Sequence, residues 1–218
     1  MDFSAIDFET ATSSRNSACS VAVVDVKDNI IIDKYYTLLK PPGLKFNWFN
    51  IKIHGIHPDD VQDAPTFKDI WPDLRKHLEG HYVVAHNAVF DMSVLRAELR
   101  HAAISIPDIH YCCTVKMSQH AWPKLESHKL DVVGKYLNVD FKHHDALEDA
   151  RACAAIPIAA GNLMNCQTIP ELANKLGISI CSLRKPAEHK YWHRRTINTQ
   201  KGSTRKMINV PLGIERRK

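Results

Sequence analysis

The chain has 218 residues, 44% hydrophobic and 24% charged, with 29 Lys+Arg against 24 Asp+Glu. That length and composition suit one globular domain of moderate size with an appendage. No run approaches the roughly 18 consecutive apolar residues of a membrane helix. The net charge of +5 is uneven: residues 182–218 hold eleven Lys and Arg and two acids, a net +9, which leaves residues 1–181 at −4. An acidic body with a basic tail points to a polyanionic partner.

The opening MDFSAIDFET lacks the basic and apolar regions of a signal peptide, so a cytoplasmic location is the default expectation. Six cysteines (Cys19, Cys112, Cys113, Cys153, Cys166, Cys181) form no CxxC pair. They are expected to be reduced and mostly buried, with no disulfide framework or zinc site.

In chain order, residues 3–9 read as a short buried strand. Residues 19–26 and 30–40 are two β-rich runs around the turn at Asp28-Asn29, as in an antiparallel meander. Pro41, Pro42 and Gly43 break the pattern, and residues 46–60 read as a loop rich in aromatics and histidine. Phe67, Ile70, Leu74 and Leu78 have helical spacing, with Gly80 as the stop. A strand over 81–87, a helix over 90–102 and a strand over 109–117 follow. Ser127 is the expected cap of a helix over 128–139. His144 and Asp145 open the last long helix, which Pro157 should kink. Three strands followed by alternating helices and strands imply a mixed sheet with helices packed on it, an α/β or α+β layered domain.

Four carboxylates stand out. Asp7 and Glu9 are two apart on the first strand and so share a face, with Phe8 pointing the other way. The same pair also suits a strand running out into a solvated turn. Asp91 opens a helix, where a carboxylate also suits the dipole. On a helical projection Asp149 shares a stripe with Ala146, Cys153 and Ile156, a costly place for a carboxylate unless an Arg or a metal meets it. Brought together, the four would make an oxygen-rich site for hard cations, Mg²⁺ or Mn²⁺. A pair of such ions is suited to displacement at phosphorus, with a nearby histidine as base.

DFE (Asp7, Glu9), HNAVFD (His86 to Asp91) and HDALEDA (His144 to Ala150) together resemble the three motifs of the DEDDh 3′→5′ exonucleases, which include the epsilon proofreading subunit of bacterial DNA polymerase III. The resemblance runs from about Ser4 to Gly161 and includes the IHGI segment, Ile53 to Ile56. It implies a ribonuclease-H-like mixed sheet with helices on both faces, three antiparallel strands coming first and parallel strands after. It also implies two Mg²⁺ or Mn²⁺ ions on Asp7, Glu9, Asp91 and Asp149, with His144 as general base. The sister branch with tyrosine in that role would need it four residues before the last Asp, where this chain has Asp145. The implied reaction is hydrolysis of the terminal phosphodiester of DNA, in proofreading or repair, releasing 5′-mononucleotides. Phe8, Thr10, His54, Asn87 and Phe90 would hold the terminal nucleotide. Phe90 and His54 also suit core and turn roles, and Trp48 and Phe49 suit either base stacking or a buried aromatic pair.

The expected layout is an exonuclease domain over 1–165, a C-terminal helix over 166–181 and a basic, irregular tail over 182–218. TIPELANKLGIS (Thr168–Ser179) resembles the opening of a helix-turn-helix, but Pro186 leaves little room for a recognition helix, which favours a capping helix. In the tail, Tyr191 and Trp192 could stack on bases. Two other readings stay open: an RNA 3′→5′ exonuclease of the oligoribonuclease or ribonuclease T type, and a non-enzymatic DNA-binding module using the basic C-terminus. The partner that the resemblance implies is nucleic acid with a free 3′ end, DNA favoured, with no membrane expected and no identifiable polymerase-docking segment.

Overall fold

The computed structural model describes residues 1–185. Its centre is a six-stranded sheet of order β3-β2-β1-β4-β5-β6, formed by β1 (Phe3–Thr10), β2 (Ala18–Lys27), β3 (Ile30–Leu38), β4 (Tyr82–Ala85), β5 (His110–Cys113) and β6 (Cys181–Ser182). The first three strands are antiparallel, with Asp7 opposite Ala22 and Glu9 opposite Ser20. β4 then joins β1 in parallel and β5 joins β4 in parallel, while β6 returns antiparallel to β5. The expected mixed sheet is therefore present, with one added edge strand.

β2 is buried along almost its whole length because both of its faces are covered. Val21 and Val23 face a core made with α2 (Phe67–Leu78) and α3 (Val89–His101). Ala22, Val24 and Val26 face the other core, made with α4 (Thr114–Ala121), α5 (Leu130–Tyr136), α6 (Ala146–Met164) and α7 (Ile169–Leu176). Helices thus cover both faces of the sheet.

α6 carries the third motif. Eight of its buried residues are Ala or Gly, including Ala150, Ala154, Ala155 and Ala159 with no exposure, so its backbone can lie close against β1 and β2. The helix runs unbroken through Pro157. Five of the six cysteines are buried and all are free, as expected of small apolar residues.

Four expectations change. Residues 48–54 are not loop but a helix, α1 (Trp48–His54). Its signals are local: the Asn47 side chain accepts from the Phe49 N–H (2.9 Å), and Gly55 takes φ 76° at the C-terminal end. Trp48 and Phe49 are exposed, not a buried pair. The strand expected over 109–117 ends at Cys113, because pairing with β4 stops at Ala85; Thr114, Met117 and Ser118 then face inward at helical spacing. Ser127 accepts from the Lys129 N–H (3.3 Å), but the cap position of α5 is Lys129.

Near the C-terminus, α7 opens with Glu171 reaching back to the Thr168 N–H (3.2 Å) and ends at Gly177. The chain then becomes β6 where a helix-turn-helix would need a second helix. Leu183 is fully buried, and Arg96 of α3 donates to the carbonyls of Ser182, Leu183 and Lys185. The irregular segment expected from Ser182 is thus still packed on the sheet as far as Lys185. Readings of the tail beyond it, including Tyr191 and Trp192, lie outside the described residues. No helix among the described residues is long and apolar enough to cross a membrane.

If the small side chains of α6 set its distance from the sheet, Ala154→Leu will overpack the core. Urea unfolding should show a loss of about 1–3 kcal/mol with an unchanged slope.

Candidate active site

The C-terminal ends of β1 and β4, the start of α3 and the start of α6 surround a cleft of about 620 Å³. Asp7, Glu9, Asp91 and Asp149 all line it, together with His144. Asp7 and Glu9 emerge on the cleft side of β1. The Phe8 ring between them is buried in the opposite core, at 2% exposure. A β-bulge between Glu9 and Thr10 re-aims the strand end. The buried Glu98 supports that bulge by accepting from the N–H of Ala18, the partner of Thr10 (2.9 Å).

Asp91 is 1% exposed, and its Oδ1 accepts from the Phe8 N–H (3.1 Å), which ties α3 to β1. Asp149 is 5% exposed and lies on the stripe read from the sequence, with Ala146, Cys153 and Ile156 all buried. Its Oδ2 accepts from the His144 N–H (3.0 Å), which holds His144 at φ 68°. That left-handed backbone costs on the order of 1 kcal/mol in a residue with a Cβ. Asp145 caps α6 by accepting from the N–H groups of Leu147 and Glu148, and Glu148 pairs with Arg151 (2.6 Å).

The electrostatics are those of crowded anions. Carboxylate oxygens of Asp7, Glu9 and Asp149 lie within 4.8 Å of one another. Among the described residues none of the four carboxylates forms an ion pair with Lys or Arg. Burial, followed by the charge of Asp149, raises Glu9 to about 8. Burial raises Asp91 to about 7 against the hydrogen bond from Phe8, and raises Asp149 to about 6. Asp7 is also pushed well above its ordinary value, by burial and then by Asp91 and Glu9.

A cation fits this site. Every donor is a carboxylate oxygen, the choice of a hard divalent ion. Asp149 Oδ1 is buried without a hydrogen-bond partner, the one carboxylate oxygen in that condition among the described residues. Among the described residues no Arg pairs with Asp149.

The expected nucleotide-holding residues separate. Asn87, at φ 66°, and Phe90 line the cleft, and Arg15 lies over the Phe90 ring at 4.4 Å. His54 lines the cleft and also serves its turn: Nδ1 accepts from the Ile56 N–H (3.0 Å), so the proton is on Nε2, which faces the Thr10 carbonyl (3.3 Å). Thr10 is 5% exposed and reaches the cleft at its edge. Phe8 offers only its backbone, because alternation on β1 sends its ring into the core.

Sequence reasoning missed Asn50, Gln119, His128 and Lys129, which also line the cleft. Asn50 donates to the Thr10 and Thr12 carbonyls, and the His128 carbonyl meets His86 Nε2 (3.0 Å). The helical register of α1 was the one available signal for Asn50. The structure also brings His143 in. Its ring nitrogen, that of His144 and an oxygen of Asp149 lie within 4.8 Å of one another. Burial, then His143, lowers the pKa of His144, which favours the neutral imidazole.

Residues 4–156 match the family model described as exonuclease, RNase_T. The chain belongs to the exonuclease family. Within it the chain falls in the DEDDh 3′→5′ branch. The PolC-type DNA polymerase III of Caldanaerobacter subterraneus subsp. tengcongensis is 29% identical over 158 residues, which is 71% of this chain and 11% of that protein. The chain therefore spans about a tenth of the length of the curated relatives it matches. Exonuclease X, solved in complex with 5′-overhanging duplex DNA, is 27% identical with a TM-score of 0.66, covering 80% of this chain and 99% of that one. Exonuclease I shares the fold at 16% identity and a TM-score of 0.65, over 80% of this chain and 42% of its own.

The raised carboxylates make a testable demand on stability. Each binds a proton more tightly folded than unfolded, so its stabilisation is complete below about pH 4 and is lost as pH rises through the folded values of about 6 to 8. The melting temperature of metal-free protein should fall between pH 5 and 8.5, by about 5 °C or more. Mn²⁺ should restore it, with a larger increment at pH 8 than at pH 6.

Proposed function

We propose that this protein is a metal-dependent 3′→5′ exonuclease that hydrolyses the terminal phosphodiester of DNA and releases 5′-mononucleotides, in proofreading or repair. The observation that carries the reading is the convergence of four carboxylates and His144 on one cleft, with Asp149 Oδ1 buried and unpartnered. Asp7, Glu9, Asp91 and Asp149 would hold two Mg²⁺ or Mn²⁺ ions. When bound, those ions neutralise the scissile phosphate and activate the attacking water. His144 takes the proton from that water, a role supported by its lowered pKa, which leaves it neutral near pH 7. The His144–Asp149 backbone hydrogen bond keeps the base in register with the metal-binding floor. Asn87 and Phe90 border the strand, and His54, with both ring nitrogens engaged by the protein, holds the wall of the cleft beside the terminal nucleotide. Residues 1–165 constitute the catalytic domain.

DNA is favoured over RNA because Exonuclease X, 99% of which is covered by the match, was solved with DNA, and because the PolC-type relatives are DNA polymerases. Purified protein with Mg²⁺ or Mn²⁺ should shorten a single strand of DNA labelled near its 5′ end, one nucleotide at a time. A matched RNA oligomer should be cut more slowly, and a large preference for RNA overturns the choice of DNA. Asp7→Ala should lower kcat about a thousandfold or more; full activity in that variant would point to a contaminating nuclease. His144→Ala should cost about 10²–10⁴-fold in kcat, and His143→Ala less than about tenfold. Equal losses would mean that the base is wrongly assigned between the two neighbours.

A further inference from the structure

The loop between β1 and β2, Ala11 to Ser17, is short, polar and closed on itself. Ser17 Oγ accepts from the Thr12 N–H (3.1 Å) and from Thr12 Oγ1 (2.9 Å), and donates to the Ser14 carbonyl (2.7 Å). The Ser14 N–H returns to Thr12 Oγ1 (3.1 Å), and the Ala11 N–H donates to the Ser17 carbonyl (2.7 Å). From outside, Asn50 of α1 donates to the Thr12 carbonyl (3.4 Å). These bonds hold the loop from within and leave the exposed Arg15 side chain projecting from it.

Arg15 is placed by a ring, where a surface arginine is ordinarily placed by a carboxylate. Its guanidinium lies 4.4 Å from the centroid of Phe90, a residue that lines the cleft. Among the described residues it forms no ion pair and no hydrogen bond. The ring engages the cation but takes none of its N–H donors, so the fork stays open to an anion that it can grip with two bonds. The location is equally specific. Phe90 and Asp91 are consecutive at the start of α3. Burial raises Asp91, and the Phe8 N–H and then the charge of Arg15 pull it back, so the guanidinium lies within electrostatic reach of the carboxylate floor. Lys129 is the one Lys or Arg among the cleft-lining residues, so a cation carried to the rim by Phe90 adds much to the pull on a polyanion.

We propose that Arg15, steadied on Phe90, grips one phosphate of the substrate strand immediately upstream of the scissile bond. This rests on the reading of the cleft as a nuclease site and deepens it. The direction follows from the chemistry. An enzyme that removes one nucleotide from a 3′ end cuts the last phosphodiester, so every other phosphate lies on the 5′ side. Proximity follows from the chain, because the residue that carries the guanidinium adjoins Asp91 of the floor. Phe90 then serves the strand through the cation that it carries. The grip reads charge and carries no sequence information, so it sets how far the strand is drawn in without selecting a base.

Binding can be measured apart from cutting by using the full chain with Ca²⁺ in place of Mg²⁺ and a short oligothymidylate labelled at its 5′ end. The companion probes are the same oligomer with one phosphate replaced by an uncharged methylphosphonate, at the second, third or fourth linkage from the 3′ end. Arg15→Ala should bind the unmodified oligomer about tenfold more weakly, and its salt dependence should fall by about one phosphate contact. At one of the three linkages the methylphosphonate should weaken the wild type by about tenfold and the variant by less than about twofold. Arg15→Lys keeps the charge without the fork and should lose about two- to fivefold. Wild-type affinity in Arg15→Ala overturns the grip, as does an equal methylphosphonate loss in wild type and variant at all three linkages. In turnover, Arg15→Ala should raise KM about tenfold with kcat within about twofold. If the linkage pattern appears but the strand is never shortened with Mg²⁺ or Mn²⁺, the nuclease reading fails while the grip stands. If Arg15→Ala cuts with the wild-type KM, the grip fails while the nuclease reading stands.

Discussion

The constraint on which the rest depends is the crowding of like charge. Two anions about 4 Å apart repel by about 4 kcal/mol at an effective dielectric of 20, and here four carboxylates share one partly dry pocket. A fold that keeps them together has to hold each one by something other than mutual attraction. Asp91 is held by the Phe8 N–H and Asp149 by the His144 N–H. Asp7 and Glu9 are held by the covalent regularity of β1. The Ala- and Gly-rich α6 is what lets Asp149 approach that strand, since larger side chains would move the helix away from the sheet.

The histidines around the cleft divide by the work they do. His86 is half-buried, meets Thr114 Oγ1 and the His128 carbonyl, and desolvation lowers it to about 4, so it is a neutral strut between β4, α4 and the segment before α5. His54 secures its own turn and the end of β1. His143 and His144 are the two that remain exposed at the mouth, with ring centroids 4.0 Å apart. Their chemistry differs through the backbone: His144 gives its N–H to Asp149 and its neighbour does not. Position relative to one carboxylate separates a candidate base from an adjacent copy of the same residue.

Much of the scaffold was legible because its signals are periodic. β2 and the apolar face of α2 follow from spacing alone, and so does the buried place of Asp149, whose i−3, i+4 and i+7 neighbours are all apolar. The failures occurred where local and periodic signals disagree. α1 has good caps but no buried face, so a search for amphipathic spacing passes over it. The β-branched Thr114 and Val115 extend the look of a strand past the point where β4 has run out of partners. β6, two residues long, exists only because the edge of β5 is open to receive it.

What the sequence by itself determined is the set of carboxylates, their strand and helix addresses, and the order of the three motifs, since these depend on residue type and on separations of a few positions. Only the tertiary structure decided that Asp149 keeps an unpartnered oxygen in the site and that Trp48 and Phe49 stand in water beside it. Those facts depend on which surfaces meet across the sheet and on polar bonds between segments some forty residues apart, such as Asn50 to Thr10. No pattern within one segment encodes such a meeting, because its energy arises only when both segments are in place.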